Sequence, residues 1–448
     1  MFLCAAAVPA ALLAQPALEG NWQGTLDAGV AKLRLAIHVA RTPQGGYATT
    51  LDSPDQGAMG LPVANTTVTG RTLHLDLPRL GATFDGTLTA DGSAIEGRFT
   101  QGAPFPMTFR RIANSEAAPA RPQTPKPPFP YHSEDVSYAN KSAGITLNAT
   151  LTLPPGAGPF PAAVLVSGSG AHDRDETIFG HKPFLVIADF LTRRGIAVLR
   201  ADDRPNKAQS NFTGLTGDVL AAVDYLRARK EIDPGKIGVI GHSEGGAIGP
   251  LAASQSPDIA FVIMLAGIGV PGEQLLYKQG ELVVRSQGGG DAAVAAERRA
   301  QEALFTVVRQ QKDPAAAAAD LKAALRKAAP GLPESAVDAQ AAAANSPELR
   351  SILGYDPGPV LRSLKAPVLA LNGSRDIQVS AEQNLPAIAA ALKAGGNPDF
   401  TTTELAGLNH LFQTCKTCTA AEYASLEETF SPEALKIIGD WIAAHARK

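Results

Sequence analysis

A chain of 448 residues exceeds what one ordinary core encloses, so two or three folded units are expected. With 45% apolar and 19% charged residues, the composition is that of a globular protein and excludes a fibrous or largely disordered one. A formal net charge of −3 gives no electrostatic basis for nucleic acid or an anionic membrane as partner, and beyond the N-terminus no apolar run is long enough for a membrane span.

Residues 1–17 open the chain with a small, almost wholly apolar stretch, which predicts an export signal cleaved near Ala14 or Ala17 and a periplasmic or secreted protein. No Lys or Arg precedes that run, and a buried N-terminal strand or helix is the competing reading. Cys4 stands ahead of the apolar residues, whereas a lipid-anchored cysteine follows them.

Residues 18–112 form the first folded unit. Leu33, Leu35, Ile37 and Val39 alternate with Lys32, Arg34, Ala36 and His38, and Leu73, Leu75 and Leu77 repeat the pattern around His74 and Asp76. Such period-two runs, separated by turns such as Gln44-Gly45-Gly46 and Asp91-Gly92, predict an all-β antiparallel barrel or sandwich. Residues 113–130 are proline-rich, ending Pro127-Pro128-Phe129-Pro130. Proline at that density removes donors and favours extended geometry, so a semi-rigid linker is expected.

From Tyr131 to the C-terminus the pattern changes. Val136 to Tyr138 and Ile145 to Leu153 read as an antiparallel pair. Short apolar runs then alternate with helical segments: Ala162 to Val166, a helix near Pro183 to Arg194, Ile196 to Leu199, a helix near Leu215 to Arg229, Ile237 to Ile240, a helix from Ser243, and Ile259 to Leu265. Continuous apolar strands between helices imply a mostly parallel sheet covered on both faces, an α/β fold. The alternation stops over about residues 267–366, where Ala-rich helical stretches predict a helical cap insertion. It resumes at Pro367 to Leu371 and Phe400 to Leu405, with helices at Ala381 to Ala394 and Pro432 to Ala446.

One strand runs directly into Gly241-His242-Ser243-Glu244-Gly245. A serine hydroxyl is a weak nucleophile until it is held on a tight strand-to-helix turn facing a base, and glycines two before and two after it clear that turn. The helix that follows points N–H groups at developing negative charge. Only His410 and His445 lie after Ser243; His445 falls within the terminal helix, whereas His410 follows the last strand and is the candidate base. Asp376, at the end of the seventh strand of this unit, is the candidate acid, preferred to Asp399, which precedes the last strand. An oxyanion hole needs two N–H donors. Glu244 supplies one, and the loop Val166-Ser167-Gly168-Ser169-Gly170 supplies the other from Ser169, with Gly170 as the alternative.

Cys415 and Cys418 form a C-x-x-C without a βαβ setting or a second cysteine pair for zinc, so a small-loop disulfide is expected in preference to a redox site. Asp173, Arg174 and Asp175 read as a local ion-pair or capping network.

The segments Ser167 to Asp175, Gly241 to Gly246, Asn372 to Asp376 and Asn409 to Phe412 resemble one exported bacterial branch of the α/β-hydrolase-fold serine esterases, related to dienelactone hydrolases and acyl-peptide-type serine hydrolases, and the first unit resembles the lipocalin-like β domains that precede some of them. The resemblance covers Tyr131 to the C-terminus. It implies hydrolysis of small carboxylic esters through an acyl-enzyme, with no cofactor and no metal. Two departures stand out: Asp203-Arg204 runs into Pro205-Asn206-Lys207 where relatives carry Gly-x-Gly, and Ser346-Pro347-Glu348 replaces Ser-Pro-Trp. The same machinery cleaves amides, so a peptidase or aminopeptidase is the second reading, with Glu273 and Glu281 as candidates for holding a free amine. A ligand-binding protein with an inert hydrolase unit is the third. Nothing in the sequence points to an oligomeric state.

Overall fold

The computed structural model describes residues 18–27, 32–42, 45–53, 58–101, 103–112, 120–207 and 210–445; the expected export signal and Cys4 lie outside them. The chain divides into two compact units, Met1–Ala118 and Pro119–Lys448.

The first unit consists of β1 (Gly20–Asp27), β2 (Lys32–Arg41), β3 (Tyr47–Ser53), β4 (Ala58–Pro62), β5 (Asn65–Thr69), β6 (Thr72–Leu77), β7 (Ala82–Leu88), β8 (Ala94–Gln101) and β9 (Ala103–Ile112). They form one antiparallel sheet in the order β4-β3-β2-β1-β9-β8-β7-β6-β5. The edge strands β4 and β5 are joined by Val63 and Ala64 alone and do not pair with each other, so the single sheet curls into an open half-barrel rather than splitting into a two-sheet sandwich. Val63 N–H donates to Thr49 O at 3.1 Å and Ala64 N–H to Asp76 O at 2.9 Å, tying the seam to β3 and β6. The inward residues of the alternating runs meet in one core around Trp22, Ile37, Leu73, Leu75, Phe84 and Phe109. Phe84 and Phe109 pack edge to face at 5.0 Å.

The proline-rich segment is held by side chains where it lacks backbone bonds. Arg121 donates to Leu426 O at 2.6 Å, Ala424 O at 2.7 Å and Phe179 O at 3.1 Å. Gln123 donates to Phe430 O at 2.7 Å and accepts from Thr429 N–H. Residues 120–130 are therefore strapped onto the second unit and are not a free spacer. The physical reason is that an extended proline chain leaves its few polar side chains to find their own partners.

The second unit contains an eight-stranded sheet of β10 (His132–Asn140), β11 (Ile145–Leu153), β12 (Phe160–Val166), β13 (Ala197–Ala201), β14 (Ile232–His242), β15 (Phe261–Leu265), β16 (Val368–Gly373) and β17 (Phe400–Leu405). The order is β10-β11-β13-β12-β14-β15-β16-β17, antiparallel at β10 and β11 and parallel from β13 onward. Helix α1 (Pro183–Arg193) packs with α12 (Pro432–His445), while α2 (Phe212–Arg227), α3 (Gly245–Gln255), α9 (Pro357–Ser363) and α10 (Ala381–Ala394) pack in sequence with one another. Strand β15 is buried at every residue, which is why it reads as an unbroken apolar run. This is the α/β-hydrolase fold, and its loops after β12, β14, β16 and β17 emerge at the C-terminal edge of the parallel strands.

The insertion between β15 and β16 is made of α4 (Gly272–Ser286), α5 (Asp291–Gln310), α6 (Pro314–Ala328), α7 (Glu334–Ala344) and α8 (Pro347–Gly354), with α9 already back against α3 and α10. Its helix starts are legible: Asp313 caps α6 through Ala315 N–H with Pro314 in the first turn, and Ser346 caps α8 through Leu349 N–H. Among the described residues no helix is long and apolar enough to cross a membrane.

Ile263 has no exposed surface at the centre of β15, between β14 and β16. Ile263→Ala is expected to destabilise the second unit by about 2–5 kcal/mol, read as a lower urea midpoint at unchanged slope.

Candidate active site

Ser243 follows β14 at once and precedes α3, with φ at +53°. Its N–H donates to Leu265 O at 2.8 Å, pinning the turn to the end of the neighbouring β15. A Cβ at Gly241 would lie 2.0 Å from Gly245 O, and one at Gly245 would lie 2.1 Å from Val166 O. The strand, the turn and the loop after β12 are therefore in backbone contact, which only glycine permits.

Asp376 lies in the turn after β16 and His410 in the loop after β17, both buried. His410 Nδ1 and Asp376 Oδ2 are 2.8 Å apart. Three more donors converge on the carboxylate: Gln378 N–H at 2.8 Å, Val379 N–H at 2.9 Å and Asn372 Nδ2 at 3.2 Å. Asn409 sets the histidine loop by accepting from Leu411 and Gln413 N–H while donating to Gln413 Oε1. The two residues passed over in the sequence pair with each other: His445 Nε2 and Asp399 Oδ1 are 3.1 Å apart, and His445 stacks on Trp441. Asp399 stands at the start of β17, the opposite end from His410, so neither reaches the catalytic edge.

Ser243 and His410 line one cavity of about 640 Å³ together with Gly168 and Ser169. Gly168 approaches so closely that a Cβ there would lie 3.3 Å from Ser243 Cβ. Among the described residues, Ser169 N–H, Gly170 N–H and Glu244 N–H make no backbone hydrogen bond. Gly170 follows with φ +89°.

Sequence reasoning missed a buried brace beneath this site. Glu176 Oε1 accepts from Gly168 N–H at 2.7 Å and lies 3.0 Å from His242 Nδ1, while His242 Nε2 donates to His410 O at 3.0 Å. Burial pushes the Glu176 carboxyl up, but the charge and hydrogen bond of His242 outweigh it and hold it below its ordinary value. Burial likewise lowers His242, and Glu176 and the His410 carbonyl more than reverse that, so it is raised. Both ring nitrogens face acceptors, an arrangement satisfied by an imidazolium. The one legible signal was the histidine inside the serine motif. Glu176 follows the Asp173 to Asp175 run, whose members form the expected local network: Arg174 pairs with Asp202 and Asp135, and Asp175 with Arg200 and Lys182. Glu244, whose side chain is also buried, has its carboxyl pushed up to about 7 by burial.

Further lining of the cavity comes from Gln279, Val283 and Ser286 of α4, and from Thr419, Ala420, Ala421 and Tyr423, which follow the Cys415–Cys418 disulfide. His181 holds this wall: its Nε2 donates to Tyr423 O at 2.9 Å and its Nδ1 lies 3.0 Å from Thr429 Oγ1. Burial lowers its pKa to about 4. Glu273 and Glu281, the residues considered for a free amine, are engaged by Arg309 and Tyr277, and by Arg285 and Lys278.

Gly245→Ala is expected to abolish activity at the site, since its methyl collides with the Val166 carbonyl; the fraction of protein labelled by an active-site-directed phosphonate measures this. His181 makes acid stability a second test. With the folded pKa below the ordinary value, its contribution is complete above about pH 6.5 and is lost as the pH falls toward about 4. His181→Gln is expected to lose less stability than the parent between pH 7 and pH 4, by on the order of 2 kcal/mol in urea titrations.

The chain is similar to several known proteins. Esterase EstD of Thermotoga maritima is 37% identical over 158 residues, which is 34% of this chain and 38% of that protein. Acyl-coenzyme A thioesterase 1 of Mus musculus is 30% identical over 135 residues, 30% of each. The chain thus spans about a third of the length of the curated relatives it matches. Among solved structures, Est1E from Butyrivibrio proteoclasticus superposes with a TM-score of 0.40 at 17% identity, covering 70% of this chain and 99% of that one. Residues 143–402 match the model of the X-Pro dipeptidyl-peptidase (S15) family, and by that match over more than half its length the chain belongs to this family.

Proposed function

We propose that the protein is a serine hydrolase that cleaves carboxylic esters of small, uncharged substrates. Ser243 is the nucleophile, His410 the general base and then acid, and Asp376 the residue that orients the imidazole. In the first step His410 Nε2 takes the Ser243 proton as Oγ attacks the ester carbonyl. Asp376, on Nδ1, fixes the tautomer and stabilises the imidazolium that forms. The N–H groups of Glu244 and Ser169 receive the oxyanion, with Gly170 N–H as the alternative second donor. His410 then protonates the leaving alcohol, and water repeats the attack on the acyl-enzyme.

The observation that carries the ester reading is the charge inventory of the cavity. A peptidase that trims dipeptides, as the family description names, must hold a free α-ammonium. Among the described residues lining the cavity the one carboxylate is Glu176, already satisfied by His242 and Gly168 N–H. The remaining wall combines Phe179, Ile377 and Leu411 with the neutral amides Gln279, Gln287 and Gln378. At about 640 Å³ it is of the size that takes small organic ligands. The naming of EstD as an esterase agrees with this reading.

We further propose that the protein is exported. The apolar residues 1–17 support this, and so does the bonded Cys415–Cys418 pair, since structural disulfides persist in oxidising compartments.

Hydrolysis of p-nitrophenyl esters and of aminoacyl p-nitroanilides decides the substrate class. Ester turnover is expected to exceed anilide turnover by at least about 100-fold in kcat/KM, and comparable values would refute the ester assignment. Ser243→Ala is expected to remove both turnover and fluorophosphonate labelling, and Asp376→Asn to lower kcat by roughly 10³–10⁴-fold.

A further inference from the structure

Lys207 is a buried lysine that the triad does not use. Its ammonium lies 2.6 Å from Gly168 O, 2.9 Å from Ser167 Oγ and 3.0 Å from Asp203 Oδ2, with Glu244 Oε2 at 3.8 Å. An ammonium is costly to bury unless each of its three protons finds an acceptor, and here each does. Asp203, its ionic partner, also accepts from Ser167 Oγ and from His172 N–H, both at 2.7 Å. The loop from Ser167 to His172 therefore hangs on these two side chains.

The choice of acceptors matters chemically. Gly168 O belongs to the same peptide group as Ser169 N–H, one of the two donors assigned to the oxyanion. A cation bonded to a peptide carbonyl draws electron density from the amide, strengthens its N–H as a donor and fixes the plane in which that N–H points. The preceding peptide is fixed as well, because Gly168 N–H donates to Glu176. Gly168 is thus clamped between a carboxylate on its N–H and an ammonium on its carbonyl, in contact range of Ser243. The same ammonium faces the side chain of Glu244, the residue that bears the other donor.

We propose that Lys207 is a positioning residue for the oxyanion hole: it orients and polarises the Gly168–Ser169 peptide so that Ser169 N–H meets the developing negative charge. The proposal rests on the reading of Ser243 as nucleophile. A lysine that merely neutralises Asp203 would alter stability and leave the chemistry of each folded molecule unchanged.

The test compares the parent protein with K207M, K207Q and K207R in the full chain. Three quantities are measured: the second-order rate of fluorophosphonate reaction at Ser243, kcat and KM for a p-nitrophenyl ester, and the affinity for an alkyl boronic acid that forms a tetrahedral adduct. All are normalised to titrated active sites. K207M is expected to slow phosphonylation and kcat by roughly 10-fold or more and to weaken the boronic acid in parallel, with KM moving less than about threefold. The loss should fall below the roughly 10²–10³-fold of removing a donor outright. K207R, which keeps the charge, is expected to retain more of each rate than K207Q. A K207M protein reacting within about twofold of the parent per titrated site overturns the proposal, as does a loss carried by KM alone. Where K207M does not fold, equal rates for K207R and K207Q overturn it. A parent protein whose Ser243 fails to react with the phosphonate is a different result, which removes the nucleophile and this proposal with it.

Discussion

Ser243 holds a left-handed backbone conformation, φ +53°, which an L-residue with a Cβ adopts at a cost of about 1–2 kcal/mol. Everything at the site follows from how that turn is enforced. On one side its N–H is bonded to the end of β15; on the other, two glycines allow the helix start to touch the strand before it and the loop after β12. A parallel sheet supplies the rest of the constraint. Its strands all end at one edge, so the loops bearing Ser169, Ser243, Asp376 and His410 emerge together although they are far apart in the chain.

Charge is used beneath the site as structure. Glu176 and His242 form a buried pair whose remaining hydrogen bonds go to Gly168 N–H and His410 O, so one ion pair joins the loop after β12, the serine turn and the loop of His410. Such pairs add little net stability over apolar residues of the same volume, but breaking one leaves an uncompensated buried charge. Their worth lies in fixing one arrangement of three loops beyond the ends of the strand ladders. His242 and His410 are close enough to pack, with ring centroids 4.9 Å apart. The donors on Asp376 and the hydrogen bonds around Asn409 extend the same logic to the paired His410 and Asp376.

Part of the cavity wall is assembled from pieces that are individually weak. Thr419, Ala420, Ala421 and Tyr423 belong to a short helical turn that follows the disulfide, whose loop is closed by Glu422 accepting from Lys416, Thr417 and Cys418 N–H. Arg121, from the proline-rich strap, bonds Phe179 O on one flank and Ala424 O on the other. Helix α4 completes the enclosure, so part of the insertion is cavity wall rather than a separate ornament.

Periodicity and punctuation carried most of the architecture. Alternating leucines in the first unit, and unbroken apolar runs such as Phe261–Leu265 in the second, are direct consequences of one-sided and two-sided burial, so a single sequence reveals them. Helix α9 fell within the expected insertion because its seven residues are too few to show a face of their own. Chain order and the strand-then-glycine pattern single out Ser243, His410 and Asp376, and the structure places the first two on one cavity and the last two 2.8 Å apart. That the first unit is one curled half-barrel sheet, that residues 120–130 are a strap, and that Glu176 and Lys207 are buried near the serine turn were decided by tertiary structure alone. Each depends on which distant groups the sheet brings within 3 Å, and an ionisable residue destined for burial carries the same letter as one facing water.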